Sequence, residues 1–396
     1  MVDWMARAAL LAEELSAGGV IADPAWRAVF AVTPRHVFVP RFYALDEYNQ
    51  PRVLRHGEDP ACREEWLRQV YRNQVLVTHY RVVGIMPDGS QARVATSSAS
   101  MPSLVARMLD RLAVADGHKV LEIGTGTGYN AALLCARLGD KQVTSIEVDP
   151  DAAAEAADHL HAAGWHPTLV AGDGAAGHPE AAPYDRIIAT CAVDTIPPAW
   201  IEQLAGGGLL VTPLTLAGGP LAVLRKTAPG VLVGRLDPAP AYCMALRPPG
   251  QTADPPTTIP PPSDTPSDTP SGPERQATTS VPPTAWDHSD FRLWHALHQP
   301  GIRVADHHDP HGRRTGLTAY TTSSRASADY TTGRPGAWPV TQDPARLWDR
   351  VETAWAAWQH HHQPPRTRIG ITAHPAQQYA WLDHPDSPTR WPLTPT

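Results

Sequence analysis

The sequence predicts a doubly wound α/β fold, in which helices cover both faces of a mostly parallel sheet. A short apolar strand at residues 120–123 runs into alternate glycines at 124–128, and a helix-forming segment follows. A second apolar strand at residues 143–148 carries Glu147 near its end. Strands that alternate with helices in this way form parallel sheets, and their ligands bind at the carboxyl ends of the strands.

The glycine turn indicates a nucleoside site. Glycine lets the backbone approach a bound nucleoside closely, and an acid at the end of the next strand can accept hydrogen bonds from both ribose hydroxyls. Glu147 suits an unphosphorylated ribose, as in NAD or S-adenosylmethionine. Gly124, Gly126 and Gly128 are evenly spaced, unlike the dinucleotide fingerprint, so the glycines alone also allow a tight turn without a ligand.

The elements that follow continue the same pattern. A third strand at residues 170–174 ends in Gly-Asp-Gly, where Asp173 can accept a hydrogen bond from an adenine amino group. Residues 184–190 form a fourth, buried strand, and the prolines at 197–198 begin the next helix. A glycine turn at residues 206–208 then leads into a fifth strand.

Several ordered motifs, spread over roughly residues 1–246, resemble those of protein-L-isoaspartate O-methyltransferases. They are the segment Thr33-Pro34-Arg35-His36-Val37-Phe38-Val39-Pro40 and residues 121–130, 172–174, 184–190, 196–199 and 206–208. The resemblance implies a Rossmann-like class I methyltransferase with an N-terminal helical and β extension, and S-adenosylmethionine as its cofactor. It implies that the cofactor is bound by Glu122, Gly124, Thr125, Gly126, Gly128, Tyr129, Glu147, Val148, Asp173 and Gly174.

A second element concerns the substrate. The family has a Thr-Ile-Ser-x-Pro segment beside the substrate carboxylate, and this chain has Ser98-Ala99-Ser100-Met101-Pro102. The resemblance therefore implies that Ser98 and Ser100 are the catalytic hydroxyls, which orient the carboxylate. Because an amphipathic helix follows at residues 104–112, one of the two can instead serve as a helix N-cap.

Composition limits the number of domains, the partners and the cellular location that we expect for the protein. Its 396 residues suggest two or three domains, and its net charge of -7 argues against nucleic acid or an anionic membrane as a partner. The four cysteines show neither paired nor metal-ligand spacing, and no export signal is evident. We therefore expect a cytoplasmic protein that contains no metal.

The family resemblance, together with changes in composition after residue 247, divides the chain into four parts. We expect a substrate-side region at residues 1–110 and the S-adenosylmethionine-binding Rossmann-like core at residues 111–247. Residues 248–283 hold twelve prolines in thirty-six positions, which predicts a disordered linker. Residues 284–396 are rich in tryptophan and histidine and predict a small α+β domain for substrate recognition.

Local patterns give some detail of this C-terminal part. A helix is expected after Pro344, and strands are expected near residues 367–371 and 379–381. The run Asp306-His307-His308-Asp309, with His311, has the residue types of a metal site. Adjacent residues of a strand point in opposite directions, so we predict a solvated polar loop there.

Some features depart from the repair enzymes of this family. Residues 41–75 look longer and more charged, Asn73 stands where an acid is usual, and the C-terminal part is additional. This arrangement resembles actinobacterial relatives found with ribosomally made, modified peptides (RiPPs) such as graspetides and lanthipeptides. It implies methylation of an aspartate in a cyclised precursor, which then closes to a succinimide (aspartimide).

Two alternatives remain. The first is repair of isoaspartate in damaged proteins. The second is a non-catalytic binding module, against which the intact glycines and acids of the cofactor motifs argue.

Overall fold

The structure is a computed structural model that describes residues 4–45, 51–55, 60–85, 91–250 and 274–393. Its helices within these ranges are α1 (Trp4–Ala17), α2 (Pro24–Val32), α3 (Pro60–Val70), α4 (Pro102–Leu112), α5 (Tyr129–Leu138), α6 (Pro150–Ala162), α7 (Pro198–Gln203), α8 (Ser289–His298) and α9 (Leu347–His360).

The strands of the first half are β1 (Arg41–Leu45), β2 (Pro51–Arg55), β3 (Leu76–Ile85), β4 (Gln91–Ala99), β5 (Val120–Ile123), β6 (Val143–Glu147), β7 (Thr168–Ala171), β8 (Tyr184–Ala189), β9 (Leu204–Pro213), β10 (Leu221–Ala228) and β11 (Val231–Leu236). Those of the second half are β12 (Arg275–Thr279), β13 (Arg303–His308), β14 (Arg314–Tyr320), β15 (Arg325–Asp329), β16 (Trp338–Gln342), β17 (Ile369–Ala373), β18 (Gln378–Leu382) and β19 (Arg390–Pro392).

A ten-stranded sheet forms the centre of the molecule, in the order β19-β18-β17-β11-β10-β9-β8-β5-β6-β7. The five strands from β9 to β7 pair in parallel. Both β5 and β6 are buried along their whole length, as expected for central strands that are covered on both faces. The predicted doubly wound α/β fold is confirmed, and its carboxyl edge lies where the sequence places the glycine turn.

The N-terminal part lies against this edge. Helices α1, α2 and α4 pack with α5 in a second apolar cluster that includes Trp26, Phe30, Leu109 and Leu133. Between α2 and α4 the chain forms an antiparallel sheet in the order β2-β1-β3-β4. Strand β4 leads directly into α4 and therefore brings residues 98–100 to the carboxyl edge of the central sheet.

The C-terminal part shares the central sheet. Strand β17 pairs antiparallel with β11, and β18 and β19 extend the sheet further. A five-stranded sheet in the order β12-β16-β15-β14-β13 accompanies α8 and α9. One apolar cluster joins Leu121 and Leu232 of the central sheet to Trp294 and Trp348. The boundary expected at residue 284 therefore does not separate two independent cores.

Two local expectations differ from the structure. Residues 251–273 of the predicted linker lie outside the described residues, but residues 275–279 form β12 and pair with β16. Residues 306–308 lie in β13 rather than in a polar loop. The Asp306 carboxylate forms ion pairs there with Arg292 and Arg314. In the part of the chain that the structure describes, no three or more potential metal ligands come together.

None of the helices within the described ranges combines the length and apolar character needed to span a bilayer. The cytoplasmic location expected from the sequence stays a prediction.

Trp381 tests whether the added strands belong to the stable core. Its ring is 2% exposed, and a Cβ added to Gly370 on the paired strand would lie 2.1 Å from it. We expect Trp381→Ala to lower the free energy of unfolding by about 3–5 kcal/mol, because it leaves a large cavity. Denaturant unfolding measures this. The matched control is Tyr379→Ala on the same strand, where the half-buried ring predicts a smaller loss. Equal, small losses in both variants would contradict the shared core.

Candidate active site

A cavity of about 630 Å³ opens at the carboxyl edge of the central sheet, a size that suits a nucleoside together with part of a second molecule. Its walls are formed by residues 95–101, 123–127, 146–149 and 242–247, together with single residues that include Tyr129, Asn130, Glu155, Gly174, Thr190 and Cys191. Strand β4 and the loops of the central sheet therefore face each other across it.

The glycine turn forms the floor of the cavity. The backbone N–H groups of Gly124 and Thr125 both donate to the Ile146 carbonyl, at 2.8 and 3.1 Å. Gly124 has φ +90°, and a Cβ there would lie 2.6 Å from Thr190 Oγ1. Position 124 therefore requires glycine on grounds of both conformation and space. A Cβ at Gly126 would meet nothing within 4 Å, so the turn is open there.

Glu147 stands at the tip of β6, and its carboxylate lines the cavity. The carboxylate accepts hydrogen bonds from the backbone N–H groups of Gly126 at 2.8 Å, Val148 at 3.1 Å and Asp149 at 3.2 Å. Three donors fix its position, while its remaining lone pairs can accept from ribose hydroxyls. The role in ribose binding that the sequence predicts for this acid stays a prediction.

Glu122 has a different place from the one expected. Its side chain is completely buried and does not line the cavity. It accepts hydrogen bonds from Asn130 Nδ2 at 2.7 Å and from Ser145 Oγ at 2.5 Å, and Ser145 Oγ in turn lies 2.6 Å from Thr125 Oγ1. Burial raises the pKa of Glu122 to about 7. Glu122 therefore supports the glycine turn from beneath rather than contacting a ligand.

The other expected cofactor residues divide in the same way. Thr125, Tyr129, Val148 and Gly174 line the cavity together with Gly124, Gly126 and Glu147. Gly128 does not, since it precedes α5 and packs against α6. The Asp173 carboxylate also lies outside the lining and accepts from the Ala175 N–H at 2.9 Å, so that it caps a short turn.

Ser98 and Ser100 both line the cavity, on the wall opposite the central sheet. Helix α4 begins after Met101, which provides no side-chain cap. Asn73 Oδ1 instead accepts from the Ser103 N–H at 2.9 Å. Neither serine hydroxyl therefore caps α4, and Asn73 supplies the side-chain acceptor at the start of this helix.

Arg35 is a structural residue of the site to which the sequence analysis gave no role. Its guanidinium is completely buried and donates to four backbone carbonyls. These are Val70 at 2.5 Å and Arg72 at 3.2 Å from Nη1, and Ser100 at 3.0 Å and Gln74 at 3.4 Å from Nη2. Burial lowers the pKa of Arg35 to about 10, so it remains charged at neutral pH. The one sequence signal that could have indicated this role is the position of Arg35 in the family-like segment at residues 33–40.

Residues 242–247 form a wall that no motif predicted. The Ala192 N–H donates to the Met244 carbonyl and the Leu246 N–H donates to the Ala192 carbonyl, both at 2.8 Å. This parallel bridge attaches the segment to the loop after β8. Its residues lie at the end of the stretch that resembles the family, where a sequence pattern gives little guidance.

Glu122 makes a testable contribution to the pH dependence of the free energy of unfolding. The folded carboxyl, with a pKa of about 7 against an ordinary 4.5, binds its proton more tightly than the unfolded one. The free energy of unfolding therefore falls as pH rises between these values, by about 3 kcal/mol at most. Glu122→Gln has no charge to bury, so we expect it to lose this fall.

Unfolding by denaturant from pH 4.5 to 7 measures the effect. Glu202→Gln, a change at an exposed carboxyl of α7, is the matched control and keeps the wild-type profile. Parallel profiles for the wild type and Glu122→Gln would show that the buried carboxyl does not titrate in this range.

Comparison with known proteins shows to which family the chain belongs. A family model, Protein-L-isoaspartate(D-aspartate) O-methyltransferase (PCMT), matches residues 61–242. Protein-L-isoaspartate O-methyltransferase 1 of Anaeromyxobacter sp. (strain Fw109-5) is 38% identical over 236 residues, which is 58% of this chain and 89% of that one. The Ignicoccus hospitalis protein-L-isoaspartate O-methyltransferase is 38% identical over 148 residues, 36% of this chain and 70% of that one.

A solved structure of a protein-L-isoaspartate O-methyltransferase has a TM-score of 0.51 and 20% identity, and it covers 94% of this chain and 99% of its own. That likeness concerns the fold, and it extends over the C-terminal part as well. With the sequence relatives and the glycine-turn cavity, it leads to one conclusion: the chain belongs to the protein-L-isoaspartate O-methyltransferase family of S-adenosylmethionine-dependent enzymes.

Proposed function

We propose that this enzyme transfers a methyl group from S-adenosylmethionine to the free α-carboxylate of an isoaspartyl residue in a peptide or protein. The observation that carries the proposal is that one cavity brings the glycine turn and Glu147 opposite Ser98 and Ser100. The relatives, which are named protein-L-isoaspartate O-methyltransferases, support isoaspartate as the acceptor.

The cofactor side of the cavity has suitable groups. Glu147 would bind the ribose hydroxyls, and the open backbone at Gly126 would let the ligand approach closely. Asn130 Oδ1 is buried without a hydrogen-bond partner among the described residues and can accept from a ligand N–H. When bound, S-adenosylmethionine supplies a methyl group on a sulfonium, which makes that methyl electrophilic.

The acceptor side requires positioning rather than proton transfer. A carboxylate is already ionised at neutral pH, so it needs no general base to become a nucleophile. Ser98 and Ser100 would donate hydrogen bonds to one carboxylate oxygen and leave the other directed at the methyl group. Val75, Met101 and Leu104 line the same region and would limit water there.

The methyl ester formed in this way is activated. The nitrogen of the next peptide bond can attack its carbonyl carbon and expel methanol, which closes a succinimide. Hydrolysis of that ring returns a mixture of aspartyl and isoaspartyl products. This sequence of steps gives the enzyme a repair function when the substrate is a damaged protein.

The alternative is a cyclised ribosomally made precursor with an aspartate as acceptor. The long and charged stretch at residues 41–75 favours an unusual substrate. The C-terminal part gives only weak support for this alternative, because the match with the solved isoaspartate methyltransferase covers 94% of this chain. We therefore place the isoaspartyl substrate first.

Methyl transfer from labelled S-adenosylmethionine distinguishes isoaspartate repair from the tailoring of a cyclised precursor. The substrates are a linear isoaspartyl peptide, its aspartyl isomer, and a cyclised precursor encoded beside the gene. Turnover of the isoaspartyl peptide alone supports repair. Turnover confined to the cyclised precursor, with later loss of methanol, would replace the repair function by peptide tailoring.

Glu147→Ala tests the cofactor side. Loss of the carboxylate removes the acceptors for two ribose hydroxyls and releases the N–H of Gly126. We expect S-adenosylmethionine binding to weaken by about 1–3 kcal/mol in calorimetry. Asp158→Ala, an exposed acid on α6 outside the cavity, is the control with unchanged affinity. An unaltered dissociation constant for Glu147→Ala would exclude it from the ribose site.

Ser98→Ala and Ser100→Ala test the acceptor side. Each change removes one donor to the carboxylate and is expected to lower kcat/KM for the peptide about tenfold, with S-adenosylmethionine affinity unchanged. Ser323→Ala, in an exposed turn, is the control. Full activity of both cavity variants would show that the hydroxyls do not contact the acceptor.

A further inference from the structure

Arg247 occupies a fixed position in the wall of the cavity. It directly follows Leu246, whose N–H is bonded to the Ala192 carbonyl at 2.8 Å. A Cβ added to Gly174 would lie 3.1 Å from Leu246 Cδ1, so the segment also contacts the loop after β7. The backbone that carries Arg247 is therefore attached to the central sheet.

The side chain of Arg247 crosses to the opposite wall. Its Nη2 donates to the carbonyl of Thr96 at 3.4 Å, which is a long hydrogen bond. Thr96 precedes Ser98 by two residues in β4, and both residues line the cavity together with Ser100. The guanidinium thus lies on the acceptor side of the cavity, close to the serine pair.

No carboxylate within the described residues forms a salt bridge with Arg247. This contrasts with Arg107 and Arg111, which both pair with Asp237 nearby. The guanidinium has five N–H donors, and the Thr96 carbonyl accepts from only one of its nitrogens. Among the described residues, no other acceptor is recorded for the guanidinium, so several of its donors can bind a ligand.

The charges of the lining make this arginine distinctive. Four carboxylates line the cavity on the side of β6 and α6, namely Glu147, Asp149, Asp151 and Glu155. Arg247 is the single arginine or lysine among the described lining residues. A carboxylate substrate that enters is repelled by the acids and attracted by Arg247, so the charges favour binding on the serine side.

We propose that Arg247 binds a carboxylate of the peptide substrate and thereby determines specificity for acidic acceptors. The inference rests on the proposed function, because it assigns a role in binding that same substrate. The carboxylate is expected to be the acceptor itself, held by Arg247 through one oxygen while Ser98 and Ser100 orient the group. An acidic side chain next to the acceptor offers the same chemistry and is the other possible source.

The test measures peptide binding without turnover. Calorimetry on the full chain, saturated with S-adenosylhomocysteine, compares the wild type with Arg247→Gln and Arg247→Lys. Arg303→Gln, at an exposed arginine of β13, is the matched control. The probes are an isoaspartyl peptide with uncharged neighbours, the same peptide with flanking glutamates, and an analogue whose acceptor carboxylate is a carboxamide.

We expect Arg247→Gln to raise the dissociation constant of the uncharged-flank peptide about tenfold or more, and Arg247→Lys to recover part of this loss. Affinity for the carboxamide analogue should be the same in all variants. S-adenosylhomocysteine binding and thermal unfolding should be the same in all variants. A merely structural role of Arg247 would alter both.

A loss seen only with flanking glutamates would support the binding of a neighbouring acid instead of the acceptor. Equal affinities of the wild type and Arg247→Gln for every peptide would overturn the proposal, as would failure of the wild type to bind any of them. Methyl transfer by the wild type is scored separately. Binding that depends on Arg247 without methylation would remove the proposed function and leave the carboxylate site standing.

Discussion

The buried guanidinium of Arg35 is the constraint on which the acceptor side of the cavity depends. A charge without contact to water is strongly destabilising unless hydrogen bonds compensate it. Here the compensation comes from four backbone carbonyls, three in residues 70–74 and one at Ser100. The loop that carries Asn73 and the loop that carries Ser100 can satisfy Arg35 only when both are in place. The two loops are therefore positioned together.

A second constraint comes from the parallel sheet. Its central strands are buried on both faces, so polar groups are tolerated mainly where a strand ends. Glu147 lies at such an end, where its carboxylate accepts hydrogen bonds from three backbone N–H groups. Glu122 lies on the neighbouring strand β5, inside the sheet, where burial raises its pKa to about 7. Depth, rather than residue type, separates the carboxylate that lines the cavity from the one that supports the loop.

The C-terminal residues also complete the core. Without β17, strand β11 would present an unpaired edge, and such edges readily associate with other chains. The pairing of β11 with β17 covers it, and Trp381 packs over Gly370 beneath the Arg235 guanidinium, whose Cζ lies 4.9 Å from the ring. Four other tryptophans of this part, Trp286, Trp294, Trp348 and Trp358, are buried in the core. One wall of the cavity comes from the earlier segment at residues 242–247, which precedes the C-terminal strands.

The sequence by itself determined the class of the fold, the glycine turn and the acid at the tip of β6. These features depend on neighbours within a few residues, so apolar runs, glycines and strand ends predict them. Only the tertiary structure decided that β17 joins β11, that Asn73 rather than a serine caps α4, and that Arg247 reaches across the cavity to the Thr96 carbonyl. Those contacts join residues far apart in the chain, and the path of the backbone that brings them together leaves no periodic pattern in the sequence.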